Sequence, residues 1–228
     1  SLAENVRSVM QKATAEVNAT VHTLDERFEG SPMPRTNLAS SYQEHNAGLA
    51  LYATELLSHT FPLHSSKALG SVQWGGRWQE LQLKDKTLIL DASHNPEACL
   101  PLRENLNTNF KAKGMKPIIV SGVLGNERAK SLMPLLAEFA QALYLVSPEQ
   151  PGACDTQALR DSIPETFKGP IYESAVRSLF SKDHCQIGAT NDTIIVSGSI
   201  YLIGEILTII EGVKPDPIGQ DRKPSSLT

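Results

Sequence analysis

Apolar residues recur along this chain in two rhythms. Near the start, Val6, Val9, Met10 and Ala13 fall three and four apart, which predicts a helix with one apolar face. Val17–Leu24 alternates loosely and predicts a strand, and Gly30-Ser31-Pro32-Met33-Pro34 breaks the pattern. Ala47, Leu49, Ala50, Leu51, Ala53, Leu56 and Leu57 predict a second, nearly continuous apolar helix. It runs from polar Gln43–Asn46 to a stop at Phe61-Pro62. Residues 1–66 offer too little for an independent domain.

From about Trp74 the rhythm changes. Residues 77–83 alternate, Asp85-Lys86 turns the chain and Thr87–Asp91 returns, which reads as a hairpin. Short apolar strands then alternate with helices. Strands are predicted at 87–91, 117–120, 143–146, 171–172 and 193–196, and helices at 96–111, 128–141, 156–162, 176–181 and 201–211. Strands apolar on both faces and separated by helices predict an α/β, doubly wound, mostly parallel sheet over residues 67–212. Right-handed crossovers bring every parallel strand's C-terminal end to one edge. Pro101 falls inside the first of these helices and predicts either a kink or a start one turn later. Residues 213–228 carry Pro215, Pro217, Gly219 and Pro224 and are expected to form a loose tail.

The 228 residues carry 21 Lys and Arg against 25 Asp and Glu, a net charge of −4. That balance excludes a dedicated nucleic-acid binder with a basic stripe, but leaves room for a single phosphate site. The apolar run Ile200–Ile210 is broken by Gly204, Glu205 and Thr208, so no stretch reaches a membrane span and no membrane partner is expected. Three cysteines, Cys99, Cys154 and Cys185, stand far apart without a Cys-x-x-Cys pair. They read as reduced thiols of a cytoplasmic protein, with no metal site. The chain opens on Ser1 rather than Met and is expected to be a piece of a longer protein.

Chemistry in such a sheet belongs at the C-terminal strand ends. In Asp91-Ala92-Ser93-His94-Asn95-Pro96-Glu97, Asn95 is a good N-cap and Pro96 fits the first helical position. Asp91 then ends a strand, where a carboxylate can accept hydrogen bonds from vicinal hydroxyls, or else merely caps the turn. His94 lies just before a helix N-terminus, where it can help to hold a ligand carboxylate or else sits as a surface residue. Val196-Ser197-Gly198-Ser199-Ile200-Tyr201 is a small-residue turn with Ser199 as N-cap: an anion nest or an ordinary capped helix. Ser121–Arg128 holds two glycines but lacks Gly-x-Gly-x-x-Gly spacing. Neither Gly-x-x-x-x-Gly-Lys-Ser/Thr nor Gly-x-Ser-x-Gly occurs in the chain. Trp74-Gly75-Gly76-Arg77 delivers a guanidinium at the start of the hairpin, suited to clamp phosphate oxygens.

Taken in order, Gly75-Gly76-Arg77, Asp91-Ala92-Ser93-His94-Asn95-Pro96 and Gly198-Ser199-Ile200-Tyr201-Leu202-Ile203-Gly204-Glu205 resemble the C-terminal domain of the folylpolyglutamate synthase/dihydrofolate synthase family of the Mur ligase superfamily. Tyr42-Gln43-Glu44-His45-Asn46-Ala47, before an Ala/Leu-rich helix, resembles the end of that family's ATPase domain. The resemblance implies a partial ATPase segment over 1–66 and a Rossmann-like ligase domain over 67–212. It also implies an ATP-dependent joining of glutamate to folate through an acyl phosphate, with magnesium. Asn46 would meet the adenine edge, Arg77 the terminal phosphates and Asp91 the ribose. His94, Ser199 and Tyr201 would position the incoming glutamate. No catalytic residue is implied within these residues. The P-loop, the magnesium ligands and a modified lysine would lie in an N-terminal ATPase half that the sequence does not contain, so these residues alone are expected to be inactive. Other readings are a different Mur-type amino-acid ligase or a non-catalytic binding remnant. Where the family carries an acidic-Lys-Asp loop, this chain has Gly125-Asn126-Glu127-Arg128.

Overall fold

A computed structural model describes residues 4–39, 41–61, 66–72 and 74–212. The expected tail 213–228 lies outside them. The chain divides into two compact units between Trp74 and Gly75.

The first unit is helical. The helix read from Val6, Val9, Met10 and Ala13 is α1, Glu4–Glu16, which buries no residue. The strand expected over Val17–Leu24 is not formed. Thr23 instead caps a short helix α2, Leu24–Phe28, in a reciprocal box: its hydroxyl accepts from the Glu26 N–H while Glu26 accepts from the Thr23 N–H. Two otherwise orphaned backbone donors are satisfied, and that local gain outweighs a loose alternation. The Ala/Leu-rich helix is α3, Ser41–Leu57. It meets α2 through Gly48, where a Cβ would lie 3.4 Å from both Leu24 and Phe28, and through the paired hydrogen bonds of Arg27 to Glu55 at 2.6 and 2.8 Å.

The second unit is the expected sheet. Its strands are β1 Gln79–Leu83, β2 Lys86–Asp91, β3 Ile118–Gly122, β4 Ala142–Leu145, β5 Ile171–Glu173 and, late in the chain, β8 Thr193–Gly198. The order is β1-β2-β8-β3-β4-β5, with β1 antiparallel and the rest parallel. One face is covered by α4, Pro96–Asn109, and α5, Asn126–Phe139, through Leu102, Leu106, Leu132 and Leu136. The other packs on α8, Ile200–Glu211, through Leu202, Ile206 and Ile210. Helix α6, Thr156–Asp161, follows β4, and α7, Val176–Leu179, ends earlier than its apolar pattern suggests. Fully buried Phe180 leaves that helix to start a two-stranded hairpin, β6 Phe180–Ser181 with β7 His184–Cys185. Pro101 neither delays nor stops α4, which begins at Pro96 under an Asn95 cap. The Glu97 carbonyl that Pro101 deprives of its donor belongs to an exposed residue in the first turn, which solvent can reach.

At the C-terminal edge the central strands touch backbone to backbone. Gly198, at φ +144°, lies against Gly122 so closely that a Cβ on it would sit 2.3 Å from the Gly122 carbonyl oxygen. We expect Gly198→Ala to destabilise the sheet unit by about 3 kcal/mol, since strain and collision both act. Gly204→Ala, in an open position of α8 with nothing within 4 Å, should stabilise by up to about 1 kcal/mol. Urea unfolding followed by the buried Trp78 measures both.

Candidate ligand site at the sheet edge

The topology gathers the predicted residues of the second unit. Strands β2, β8 and β3 are neighbours, with Asp91 opposite Ser197, Ser197 opposite Ser121 and Gly198 opposite Gly122. Their following turns therefore share one edge. Because β1 runs antiparallel, with Gln79 opposite Leu90, the Gly75–Trp78 turn that precedes it reaches the same edge. Arg77, Asp91, His94, Ser199 and Tyr201 are thus brought together from segments far apart in the chain. Asn46 belongs to the first unit. It is exposed on α3 and donates from Nδ2 to Gln43 Oε1 at 3.1 Å.

Asp91 is buried, and both its oxygens are engaged. Oδ2 accepts from the Trp78 N–H at 3.1 Å. Oδ1 accepts from the Ser93 N–H at 3.1 Å and from the Ser93 hydroxyl. A carboxylate offers about four acceptor positions. Among the described residues three are taken, which leaves one for a ligand donor, and holding two vicinal hydroxyls would require Asp91 to release one of its present partners. Burial pushes this carboxyl above the usual carboxylate range, opposed by the Ser93 and Trp78 hydrogen bonds and the nearby Arg77 charge.

The turn between the glycines and Trp78 is tied to the same strand end. The Ala92 N–H donates to the Gly76 carbonyl at 2.8 Å, and Gly76 adopts φ +72° under Ile203 and Ala92. Trp78 turns inward, buried against Phe110, and Arg77 is left exposed. A guanidinium fixed at its root and exposed to solvent suits an arriving anion.

His94 is half-buried, with Nδ1 2.8 Å from the Ala92 carbonyl oxygen. A carbonyl only accepts, so Nδ1 carries the hydrogen and Nε2 is the nitrogen left for a ligand. Helix α4 starts directly behind it, with Asn95 Oδ1 accepting from the Ala98 N–H at 2.8 Å. Ser199 is buried and is the N-cap of α8: its Oγ accepts from the Tyr201 N–H at 3.2 Å, and its own N–H donates to the Gly122 carbonyl at 2.9 Å. Tyr201 is half-buried in the first turn of α8. Two helix N-termini therefore point their positive ends at this edge. The Gly125–Arg128 loop starts α5 beside them. It is held by a Gly125 N–H bond to the Gly152 carbonyl at 3.0 Å, while Glu127 pairs with Lys130 rather than with the edge.

Sequence reasoning missed Ser93 and the Trp78 N–H as Asp91's partners. The Asp-Ala-Ser spacing of an Asx turn was a usable signal for the first; the second depends on a positive φ of +50° at Trp78 that no pattern announces. The three thiols stand above the usual cysteine range because of burial, and none is poised for chemistry.

Residues 76–200 match the family described as Mur ligase, glutamate ligase domain. The chain belongs to that family. The match begins at the Gly76 turn and ends in the first turn of α8, so it encloses Arg77, Asp91, His94 and Ser199. Among curated proteins this ligase-domain chain is similar to one of Haloferax volcanii named "Probable bifunctional folylpolyglutamate synthase/dihydropteroate synthase". They are 24% identical over 200 residues, covering 87% of this chain and 22% of that protein. It is also similar to the "Probable dihydrofolate synthetase" of Schizosaccharomyces pombe, at 21% identity over 75% of this chain and 43% of that protein. The chain thus spans less than half the length of either relative. Among solved structures, Mycobacterium tuberculosis folylpolyglutamate synthase complexed with ADP and AMPPCP shares the fold. The TM-score is 0.62 and the identity 22%, over 80% of this chain and 43% of that one. Among the described residues no helix is long and apolar enough to cross a membrane.

The raised carboxyl has a measurable sign. The folded protein keeps the Asp91 proton over a pH range in which the unfolded chain, with an aspartate near pKa ~3.9, has released it. The stabilisation linked to that proton is complete below the unfolded value and is lost as pH rises through the folded one. The stability margin of wild type over Asp91→Asn should therefore shrink with rising pH across the acid range, as measured by urea unfolding at stepped pH. A margin that stays flat or grows contradicts the burial of this carboxylate.

Proposed function

We propose that the chain supplies the glutamate-ligase part of an ATP-dependent ligase that adds glutamate to a folate. The observation that carries this reading is the convergence on one sheet edge of an exposed guanidinium, a strand-end carboxylate, an oriented imidazole and two capped helix N-termini. Residues 1–66 contribute the closing helices of the ATPase domain, and residues 67–212 the ligase domain, whose compact unit begins at Gly75.

ATP activates the folate carboxylate as an acyl phosphate, the glutamate amine attacks the acyl carbon, and phosphate leaves as the amide forms. Within that reaction Arg77 binds the terminal phosphates of the nucleotide, and Asp91 accepts from its ribose with the acceptor position left to it. His94 Nε2 and the α8 N-terminus at Ser199 and Tyr201 hold the incoming glutamate, so that its amine is presented in one orientation. Magnesium accompanies ATP in this chemistry. The described residues contain no group of three or more His, Cys, Asp or Glu able to hold a metal ion. In this reading its ligands belong to the ATPase half together with the P-loop motif, which this sequence lacks. The three free thiols suit a reducing, cytoplasmic setting.

The purified chain should show no folate-dependent ATP turnover. Joined to the N-terminal portion of a folylpolyglutamate synthase, it should form the glutamate amide. In that chimaera Arg77→Ala should raise the KM for ATP about ten- to hundredfold, the loss of a hydrogen bond to a charged group. His94→Ala should raise the KM for glutamate by a similar factor and leave the KM for ATP unchanged. Turnover by the purified chain alone, or His94→Ala with unchanged glutamate dependence, would overturn these assignments.

A further inference from the structure

Two buried hydroxyls at this edge are used by nothing described above. Ser121 in β3 and Ser197 in β8 are both fully buried, and neither Oγ has a hydrogen-bond partner among the described residues. They stand opposite each other in register. Their side chains lie on the same face as Ile119 and Ile195, two residues earlier on each strand, which is the face covered by α4 and α5. Asp91 occupies the same row on the far side of Ser197. A polar row thus crosses three strands directly above an apolar row of Ile89, Ile195 and Ile119.

Buried hydroxyls are almost always satisfied. Adjacent strands are ~4.8 Å apart, too far for side chains standing straight off the sheet to bond one another. A single water bonded to both oxygens, each ~2.8 Å away, spans that gap. Two hydroxyls, each able to donate and accept, give a buried water the minimum of partners it needs.

We propose that Ser121 and Ser197 bind one buried water between β3 and β8. It ties the two strand ends by their side chains, just beneath the point where Gly122 and Gly198 touch and the Ser199 N–H bonds the Gly122 carbonyl. The bound water is a structural ligand of the edge that carries the candidate site, and this assignment stands whether or not the ligase reading does.

A crystal structure of the wild-type chain should show a water within hydrogen-bond distance of both Oγ atoms. Ser121→Ala and Ser197→Ala should each lower the folded-to-unfolded ratio about tenfold, because each leaves the opposite hydroxyl unpaired. The double variant should lose no more than either single, since it removes the orphan as well as the partner. Two hydroxyls bonded directly to each other or to carbonyls with no water between them would overturn the proposal. So would single-variant losses that sum in the double. The wild-type density decides the question even if a variant fails to fold.

Discussion

The buried carboxylate of Asp91 is the joint on which the candidate site depends. One of its oxygens holds the backbone of Trp78 and the other holds Ser93. The Trp78 bond fixes the turn that projects Arg77, and the Ser93 bond fixes the turn that orients His94 and starts α4. Burying a charge is costly unless it is well hydrogen-bonded, and here the bonds come from the two turns that must be placed relative to each other. The same side chain therefore shapes the site and offers it an acceptor. A substitution at Asp91 consequently acts on Arg77 and His94 as well as on any ligand bond.

The second constraint is the absence of side chains at Gly122 and Gly198. A Cβ at Gly122 would lie 2.4 Å from the Val146 carbonyl oxygen, as one at Gly198 would lie against Gly122. Three strand ends thus close up in series, β8 on β3 and β3 on β4. The closure brings the Ser199 N–H to the Gly122 carbonyl and sets the axis of α8. Ser199 spends its hydroxyl on capping that helix, so what α8 presents at its start is backbone polarity rather than a free side-chain oxygen.

The sheet was legible because its strands are short apolar runs and its helices carry caps. Asn95-Pro96 marks the start of α4, and Ser199 marks that of α8. The match to residues 76–200 and the shared fold bear out the Mur ligase resemblance drawn from the Gly-Gly-Arg, Asp-Ala-Ser-His-Asn-Pro and Gly-Ser-Ile-Tyr turns. What escaped the pattern was short or dependent on tertiary contacts. The strand expected over Val17–Leu24 gave way to the Thr23–Glu26 capping box, a signature present in the sequence but outweighed by the alternation. The hairpin of β6 and β7 is only two residues on each side, too short for a period of two to register. At the site, sequence placed Asp91 at a strand end, but its partners follow from the positive φ of Trp78 and the depth of the turn.

The order of the strands explains why these pieces form one site or none. Strand β8, last in the chain, lies between β2 and β3, so Asp91 and Ser121 are never direct neighbours; each pairs with Ser197. Until residues 193–198 insert, β2 and β3 have no shared ladder. The His94 turn, the Ser199 cap and the Gly122 contact then have no common frame. Such long-range pairing carries the loop-closure cost of most of the unit before it returns any contact. The edge is therefore complete only when β8 lies between β2 and β3. Its geometry is coupled to the stability of the whole sheet rather than to any single loop, which is the condition under which side chains from distant segments hold fixed positions relative to one another.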